Sequence, residues 1–388
     1  MNAWAWPDYQ GGGIVNLMQS IRTALGDPVQ DYSSSRHLAP ESLATARNVV
    51  LLVLDGLGYE DLVGRPEGAL RQHLRQRITS VAPPTTATAI STFLTGLAPQ
   101  QHGLTGWFTY FRELGSVLAV LPFVPRCGGG ALGQYGVDAA ALYGHVPIFD
   151  RLSVKSYSIC PDWIAQSDFN RAHLGRAEPV PYRDLEGLFA AVARTVRSHD
   201  ERKYVYAYWP GYDRLAHERG VGSAEVAAHF AALDAAFATL LSDLAQTETL
   251  VIATADHGFV DVPPPRRISL AEHPDLKACL SVPLCGEQRL CYAYVTSQRR
   301  NRFEDYVADH LADVLDLHPS ETLLAQGLFG PGEPHPELAR RIGDYTLVMK
   351  PGHVIQDRIP GEGHLELVGY HGGLSPAEMY VPLIVASC

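Results

Sequence analysis

Residues Asn48–Leu54 read NVVLLVL and stop abruptly at Asp55-Gly56. An unbroken aliphatic run leaves no face for solvent, so the strand it forms must be covered on both sides. That texture predicts a parallel sheet with helices packed above and below. Comparable runs occur at residues 153–159, Lys203–Trp209 (KYVYAYW) and Thr249–Thr254 (TLVIAT). Between them lie helical patterns. Residues 87–95 run up to Gly96, a natural helix stop. Residues 223–245 place Val226, Phe230, Leu233, Phe237, Leu240, Leu241 and Leu244 at helical spacing. Strands alternating with helices predict a doubly wound α/β core, mostly parallel, closed by a short last strand at 380–385.

One segment breaks the alternation. Residues 263–363 open with PPPRR and end among GPGEP and PGEG, with a strand expected at 290–295 and a helix at 303–315. Proline and glycine punctuation at both ends predicts an inserted cap subdomain. The expected catalytic core is then residues 1–262 together with 364–388. The glycine-rich run at 127–136 (CGGGALGQYG) reads as a surface loop.

Length and charge narrow the function. A chain of 388 residues can stabilise its core by burial alone. Its net charge of −11 argues against coating nucleic acid, which requires lysine and arginine on phosphates. A small phosphate-bearing substrate stays open, because bound cations supply local positive charge. The six cysteines include no C-x-x-C pair, so a thiolate zinc site is not expected. No stretch approaches the roughly 20 apolar residues of a membrane-spanning helix. The start, MNAWAWPDYQGGG, lacks a basic segment followed by an apolar one. These features predict a cytoplasmic chain with reduced thiols, with a mature form whose leader has been removed as the lesser alternative. The oligomeric state is left open.

Residues that can carry chemistry gather where strands end, the edge at which open α/β sheets bind ligands. Asp55 follows LLVL, and Asp256-His257-Gly258 follows TLVIATA. Asp213 and His217 come after KYVYAYW and, four apart, share one face of a helical turn. His371-Gly372-Gly373 precedes the last strand. Taken singly, each has a plain reading as a turn, an ion pair or a loop histidine. Together, three Asp and three His form an oxygen and nitrogen ligand set suited to Zn²⁺ or Mn²⁺. Pro83-Pro84-Thr85-Thr86-Ala87-Thr88-Ala89 leads into a helix. A Thr there is either an N-cap or a hydroxyl nucleophile beside the positive helix end.

The ordered set of Asp55-Gly, PPTTATAISTFLTGLAPQQHG, Asp213-x-x-x-His217, Asp256-His257-Gly and His371-Gly-Gly resembles the alkaline phosphatase superfamily. Within it, the type I phosphodiesterase/nucleotide pyrophosphatase group is the nearest match. The resemblance implies an alkaline-phosphatase-like fold and a two-metal phosphoric ester hydrolase working through a phospho-threonine intermediate. One metal would be held by Asp213, His217 and His371, the other by Asp55, Asp256 and His257, with Zn²⁺ first and Mn²⁺ the alternative. In that family the nucleophile lies ten residues before the Gly of T-G-L, which is Gly96 here, so the count lands on Thr86 with Thr85 next. The backbone of Ala87 would donate to a phosphoryl oxygen.

One position departs from the family. Where it places an Asn soon after H-G, this chain has Trp107. Trp107, with Phe108, Tyr110 and Phe111, either stacks a base or aryl group or belongs to the core. The substrate expected is a small phosphate ester, a diester or nucleotide pyrophosphate first. A phosphomonoesterase or phosphonate hydrolase on the same scaffold is the alternative. A metal-dependent phosphomutase ranks below both, because its insertion falls between the nucleophile and the Asp-x-x-x-His region. Sulfatases are excluded, since no C-x-P-x-R or C-x-A-x-R occurs.

Overall fold

A computed structural model describes residues 4–362 and 366–388. The seven-stranded central sheet runs Leu74–Thr79, Tyr380–Ser387, Thr249–Thr254, Asn48–Leu54, Lys203–Trp209, Lys155–Pro161, Glu178–Tyr182. Asn48–Leu54 lies at its centre, parallel to Thr249–Thr254 on one side and to Lys203–Trp209 on the other. All residues of these three strands are buried, as their continuous apolarity requires. Only Tyr380–Ser387 runs antiparallel to its neighbours. The fold is therefore α/β with a mixed, mostly parallel sheet.

Two edge strands lie outside the sequence expectation. Leu74–Thr79 (LRQRIT) is exposed over most of its length, and Glu178–Tyr182 (EPVPY) contains two prolines. Edge strands tolerate charge and proline because one side of their ladder is unpaired. The strand expected at 153–159 runs instead from Lys155 to Pro161, and the last strand extends to Ser387.

Helices cover both faces of the sheet. Leu185–Arg197 packs on Lys203–Trp209 and on Ala224–Asp243, while Ile14–Ala24 packs on Thr86–Thr95. Ser223 caps the long helix by accepting from the Val226 N–H. Ala224–Asp243 corrects the expectation about membrane-spanning stretches. It is long and apolar enough to cross a bilayer by length and composition. An alanine-rich surface helix meets the same measure, and here one face, Val226, Phe230, Leu233, Phe237 and Leu240, is buried while most of the helix is not. On the same helix Asp234 accepts from the N–H groups of Ala69 and Leu70.

A second, antiparallel sheet lies beside the core, in the order Leu315–Pro319, Tyr345–Met349, Leu290–Ala293, Cys285–Gly286, Phe108–Phe111, Ser116–Ala119, Val124–Pro125. Four of its strands come from the expected insertion, and three come from residues 108–125, which the expectation assigned to the core. Periodicity is silent about this, because the junction is a pairing between distant segments, Gly286 opposite Phe108. Residues 303–315 divide into the helix Arg300–His310 and the start of Leu315–Pro319. The expected boundary at residues 363 and 364 lies outside the described residues. Residues 127–136 include a short 3₁₀ turn, Leu132–Tyr135.

Candidate active site

The parallel strands deliver their carboxyl ends to one edge, and the candidate residues sit there. Asp55 directly follows the central strand, and its N–H donates to the Trp209 carbonyl of the neighbouring one. Gly56 turns the chain away with φ +78°, and a side chain there would strike the Phe259 ring at 2.6 Å. Gly258 is equally constrained. A Cβ on it would lie 2.0 Å from the Ala377 carbonyl oxygen. Asp213 and His217 occupy the helix Gly211–Arg219.

These elements bring all six Asp and His residues together. Asp213 Oδ1 lies 3.4 Å from His217 Nε2, 3.8 Å from His257 Nε2 and 3.9 Å from His371 Nε2. His257 Nε2 is also 3.4 Å from Asp55 Oδ1 and 3.4 Å from Asp256 Oδ2. Among the described residues, two groups have ligand atoms within 4.8 Å of one another: Asp213, His217 and His371, and Asp55, Asp213 and His257. Asp213 thus belongs to both. Asp256 stands at the edge of the second group.

The donor set fits divalent cations. Asp55 Oδ1, Asp213 Oδ1 and Asp256 Oδ2 are buried with no hydrogen-bond partner among the described residues, an arrangement that is costly unless something else satisfies them. The second oxygens of Asp55 and Asp256 are already engaged. Asp55 Oδ2 accepts from the Tyr208 hydroxyl, and Asp256 Oδ1 accepts from the N–H groups of Gly56 and His257. Two of the three imidazoles are oriented as metal ligands usually are. His217 Nδ1–H donates to the Gly369 carbonyl at 2.9 Å and His257 Nδ1–H to the Gly258 carbonyl at 3.1 Å. Each is left with a free Nε2 lone pair. That of His217 lies 3.2 Å from His371 Nε2, and the His371 ring stacks on His257 with centroids 3.7 Å apart.

Burial sets the electrostatics. It pushes the Asp213 carboxyl up to about 7, against the pull of His257, and pushes Asp256 up to about 7 with help from the Asp55 charge. Asp55 is raised by burial and then by Asp213. Burial lowers His217 to about 4, and lowers His371 with help from the neighbouring imidazoles. Without cations, carboxylates here favour protonation and imidazoles favour neutrality. Metal uptake must therefore displace protons from Asp213 and Asp256. Metal affinity is expected to fall as pH drops through about 7. Titration calorimetry in buffers of different ionisation enthalpy checks this, with more protons released per ion at pH 6 than at pH 8.

The structure separates the two threonines. Thr86 begins the helix Thr86–Thr95, and Thr85 occupies the cap position with no side-chain cap bond. Thr86 Oγ1 faces His257 Nε2 at 3.2 Å, whereas Thr85 Oγ1 donates to Glu287 Oε1 at 2.7 Å. Ala87, in the first turn where backbone N–H groups lack intrahelical partners, is fully buried behind Thr86. The aromatic run divides. Trp107 is 37% exposed and lines the cavity in front of Thr86, as does Phe108 beneath the Arg126 guanidinium. Phe111 is buried, and Tyr110 packs edge-on against Tyr294.

Three residues of this region carry no sequence signal. Glu287 lines the same cavity. The fully buried Arg289 pairs with Glu378 at 2.7 Å. Glu378 in turn accepts from the Gly373 N–H and the Ser375 hydroxyl, while its own carbonyl accepts from the Gly258 N–H. This pair joins the loop of His371 to the loop of His257. It falls in no motif because its partners lie 89 positions apart.

A mostly parallel α/β sheet carrying a cluster of Asp and His that could hold metal and a helix-start Thr at its carboxyl edge is the frame of a metal-dependent hydrolase of the alkaline phosphatase superfamily. The sequence profile of the type I phosphodiesterase/nucleotide pyrophosphatase family matches residues 49–374, and the chain belongs to that family. Among solved structures, it is similar to murine ectonucleotide pyrophosphatase/phosphodiesterase 5, at 18% identity over 87% of each chain with a TM-score of 0.67. The human counterpart matches at 17% identity over 87% of each chain, with a TM-score of 0.65. A phosphonoacetate hydrolase from Sinorhizobium meliloti 1021 matches at 17% identity, covering 88% of this chain and 90% of that one, with a TM-score of 0.59. These likenesses establish the fold. No curated protein matches the sequence.

Proposed function

We propose that the protein is a two-metal phosphodiesterase that cleaves small phosphoric diesters or nucleotide pyrophosphates through a phospho-threonine on Thr86. The observation carrying this reading is the position of Thr86 Oγ1, 3.2 Å from His257 Nε2 of the Asp55, Asp213 and His257 group. Asp213, His217 and His371 would hold one ion, and Asp55, Asp256 and His257 the other, with Asp213 facing both. Zn²⁺ is the ion proposed, Mn²⁺ the alternative, since all six ligands are oxygen or imidazole nitrogen. Such ions supply positive charge for an anionic phosphate and lower the pKa of a nearby hydroxyl.

The chain's own residues do the rest. Thr86 presents its hydroxyl at the start of a helix, where the positive helix end favours the phosphate oxygens. The Ala87 N–H is proposed as one donor to them. Trp107 forms one wall for the leaving group. Residues 263–363 are proposed as the cap that shapes specificity, since they leave the core just after His257 and return before His371. An inactive threonine-to-alanine form of the murine relative has been solved with AMP, which supports both the Thr role and a nucleotide-like substrate. A cytoplasmic location belongs to the same proposal, supported by six unpaired cysteines.

After metal analysis, the test is a panel of aryl monoester, aryl diester, nucleotide pyrophosphate and phosphonoacetate. The diester or pyrophosphate rate is expected to exceed the monoester rate by at least about tenfold. The reverse order would replace this reading with a phosphomonoesterase, and phosphate release from phosphonoacetate alone would replace it with a phosphonate hydrolase.

A further inference from the structure

The cavity in front of Thr86 encloses about 480 Å³ and is walled in part by Trp107, Glu287 and Gln288. Glu287 belongs to neither metal group, and nothing above gives it a role. It sits on the turn from Cys285–Gly286 into Leu290–Ala293, in the inserted part of the second sheet. Its Cβ presses against the loop of His371, 2.6 Å from where a Cβ on Gly372 would stand. Only glycine fits there.

Its two oxygens are used unequally. Oε1 accepts from the Thr85 hydroxyl at 2.7 Å and from the Trp107 N–H at 2.6 Å. One oxygen thus ties together the start of the Thr86 helix, the Trp107 wall and the inserted sheet. Among the described residues no donor takes Oε2. The Trp107 backbone N–H is consumed by Glu287. What a substrate beside Thr86 meets from Glu287 is an acceptor oxygen, in a cavity also lined by Gln288, Arg358 and Arg126, the last already held by Glu362 and the Leu284 and Asp357 carbonyls.

We propose that Glu287 is the specificity-determining residue of the cavity, rejecting phosphomonoester dianions and admitting phosphodiester monoanions. This rests on the hydrolase reading above and deepens it. An ionised carboxylate only accepts hydrogen bonds. At equal distance it repels a dianion twice as strongly as a monoanion. A monoester also brings a third terminal oxygen that needs a donor, and an ionised Glu287 cannot be one. In a diester that oxygen is esterified and makes no such demand.

The experiment measures binding as well as turnover, on the zinc-loaded protein at pH 8. Burial pushes the Glu287 carboxyl up to about 7, so it is ionised there, and inorganic phosphate is a dianion. Calorimetry compares inorganic phosphate with dimethyl phosphate in wild type, Glu287→Gln and Glu287→Ala. Gln keeps an acceptor for Thr85 and Trp107 and replaces the free acceptor with a donor. Phosphate should tighten at least about tenfold in Glu287→Gln, and dimethyl phosphate less than about threefold. Glu287→Ala, which removes the charge and both hydrogen bonds, should shift the ratio in the same direction. The kcat/KM ratio of aryl monoester to aryl diester should rise in parallel. An affinity ratio unmoved in both variants overturns the proposal. If wild type cleaves neither ester, the hydrolase reading fails, and the phosphate to dimethyl phosphate ratio still decides Glu287.

Discussion

Thr86→Ala is expected to lower turnover by about three orders of magnitude or more while both metal groups stay filled. The substitution removes the hydroxyl facing His257 and leaves all six Asp and His side chains in place. Without it, the phosphoryl group has no covalent stop on the chain, and only direct attack by water remains. Thr86→Ser retains an oxygen at the same place and should recover part of the rate. An N-cap role would predict a modest loss of stability and nearly normal turnover of the folded fraction. The geometry opposes that role, since Thr85 holds the cap position and neither hydroxyl makes a cap bond. Thr85→Ala deprives Glu287 of one donor and should cost at least about tenfold less than Thr86→Ala. Metal analysis beside steady-state rates and phosphopeptide mapping checks the set. Near-normal turnover in Thr86→Ala, or phosphate trapped on Thr85, would move the nucleophile.

What the sequence discloses follows from what each residue has to satisfy locally. Asn48–Leu54, Lys203–Trp209 and Thr249–Thr254 are legible to the residue because burial on both faces selects apolar side chains along their length, with polar ones such as Asn48, Lys203, Thr249 and Thr254 confined to the ends. Leu74–Thr79 and Glu178–Tyr182 are hidden because an edge strand accepts arginine, glutamine and proline. The second sheet is hidden for another reason. Its junction is made by backbone pairing between residues 286 and 108, and ladder bonds leave no side-chain pattern. The candidate site divides the same way. Asp55, Asp256 and His257 stand out because they interrupt apolar strands at their carboxyl ends, and Asp213 and His217 because they share a helical turn. Glu287 looks like any charged residue in a polar turn, and only the fold brings it to Thr85 and Trp107. Arg289 and Glu378 read as surface charges, yet they are buried as a pair.

The fold also shows what strand-end position leaves open, namely that Asp213 faces both metal groups. Asp213→Asn is therefore expected to empty both, leaving well under one ion per chain, whereas His217→Ala and His257→Ala should each spare the opposite group. Activity should be lost in proportion to the metal. A second consequence separates this from general damage. In the folded protein the Asp213 carboxyl titrates near 7, against 3.8 for its ordinary value. A carboxyl raised in the folded state adds stability that is fully present below the unfolded value and lost as pH rises through the folded one. At pH 8 the metal-free wild type therefore holds an unfavourable buried charge at Asp213, and the Asn variant does not. In chelator at pH 8, Asp213→Asn should melt at a higher temperature than wild type, and the gap should close as pH falls through 7 towards 4. With metal restored the order should invert, because only wild type gains the binding energy of the ions. A variant less stable than wild type at pH 8 in chelator would make Asp213 a structural residue, and full metal content in it would remove Asp213 from the ligand set.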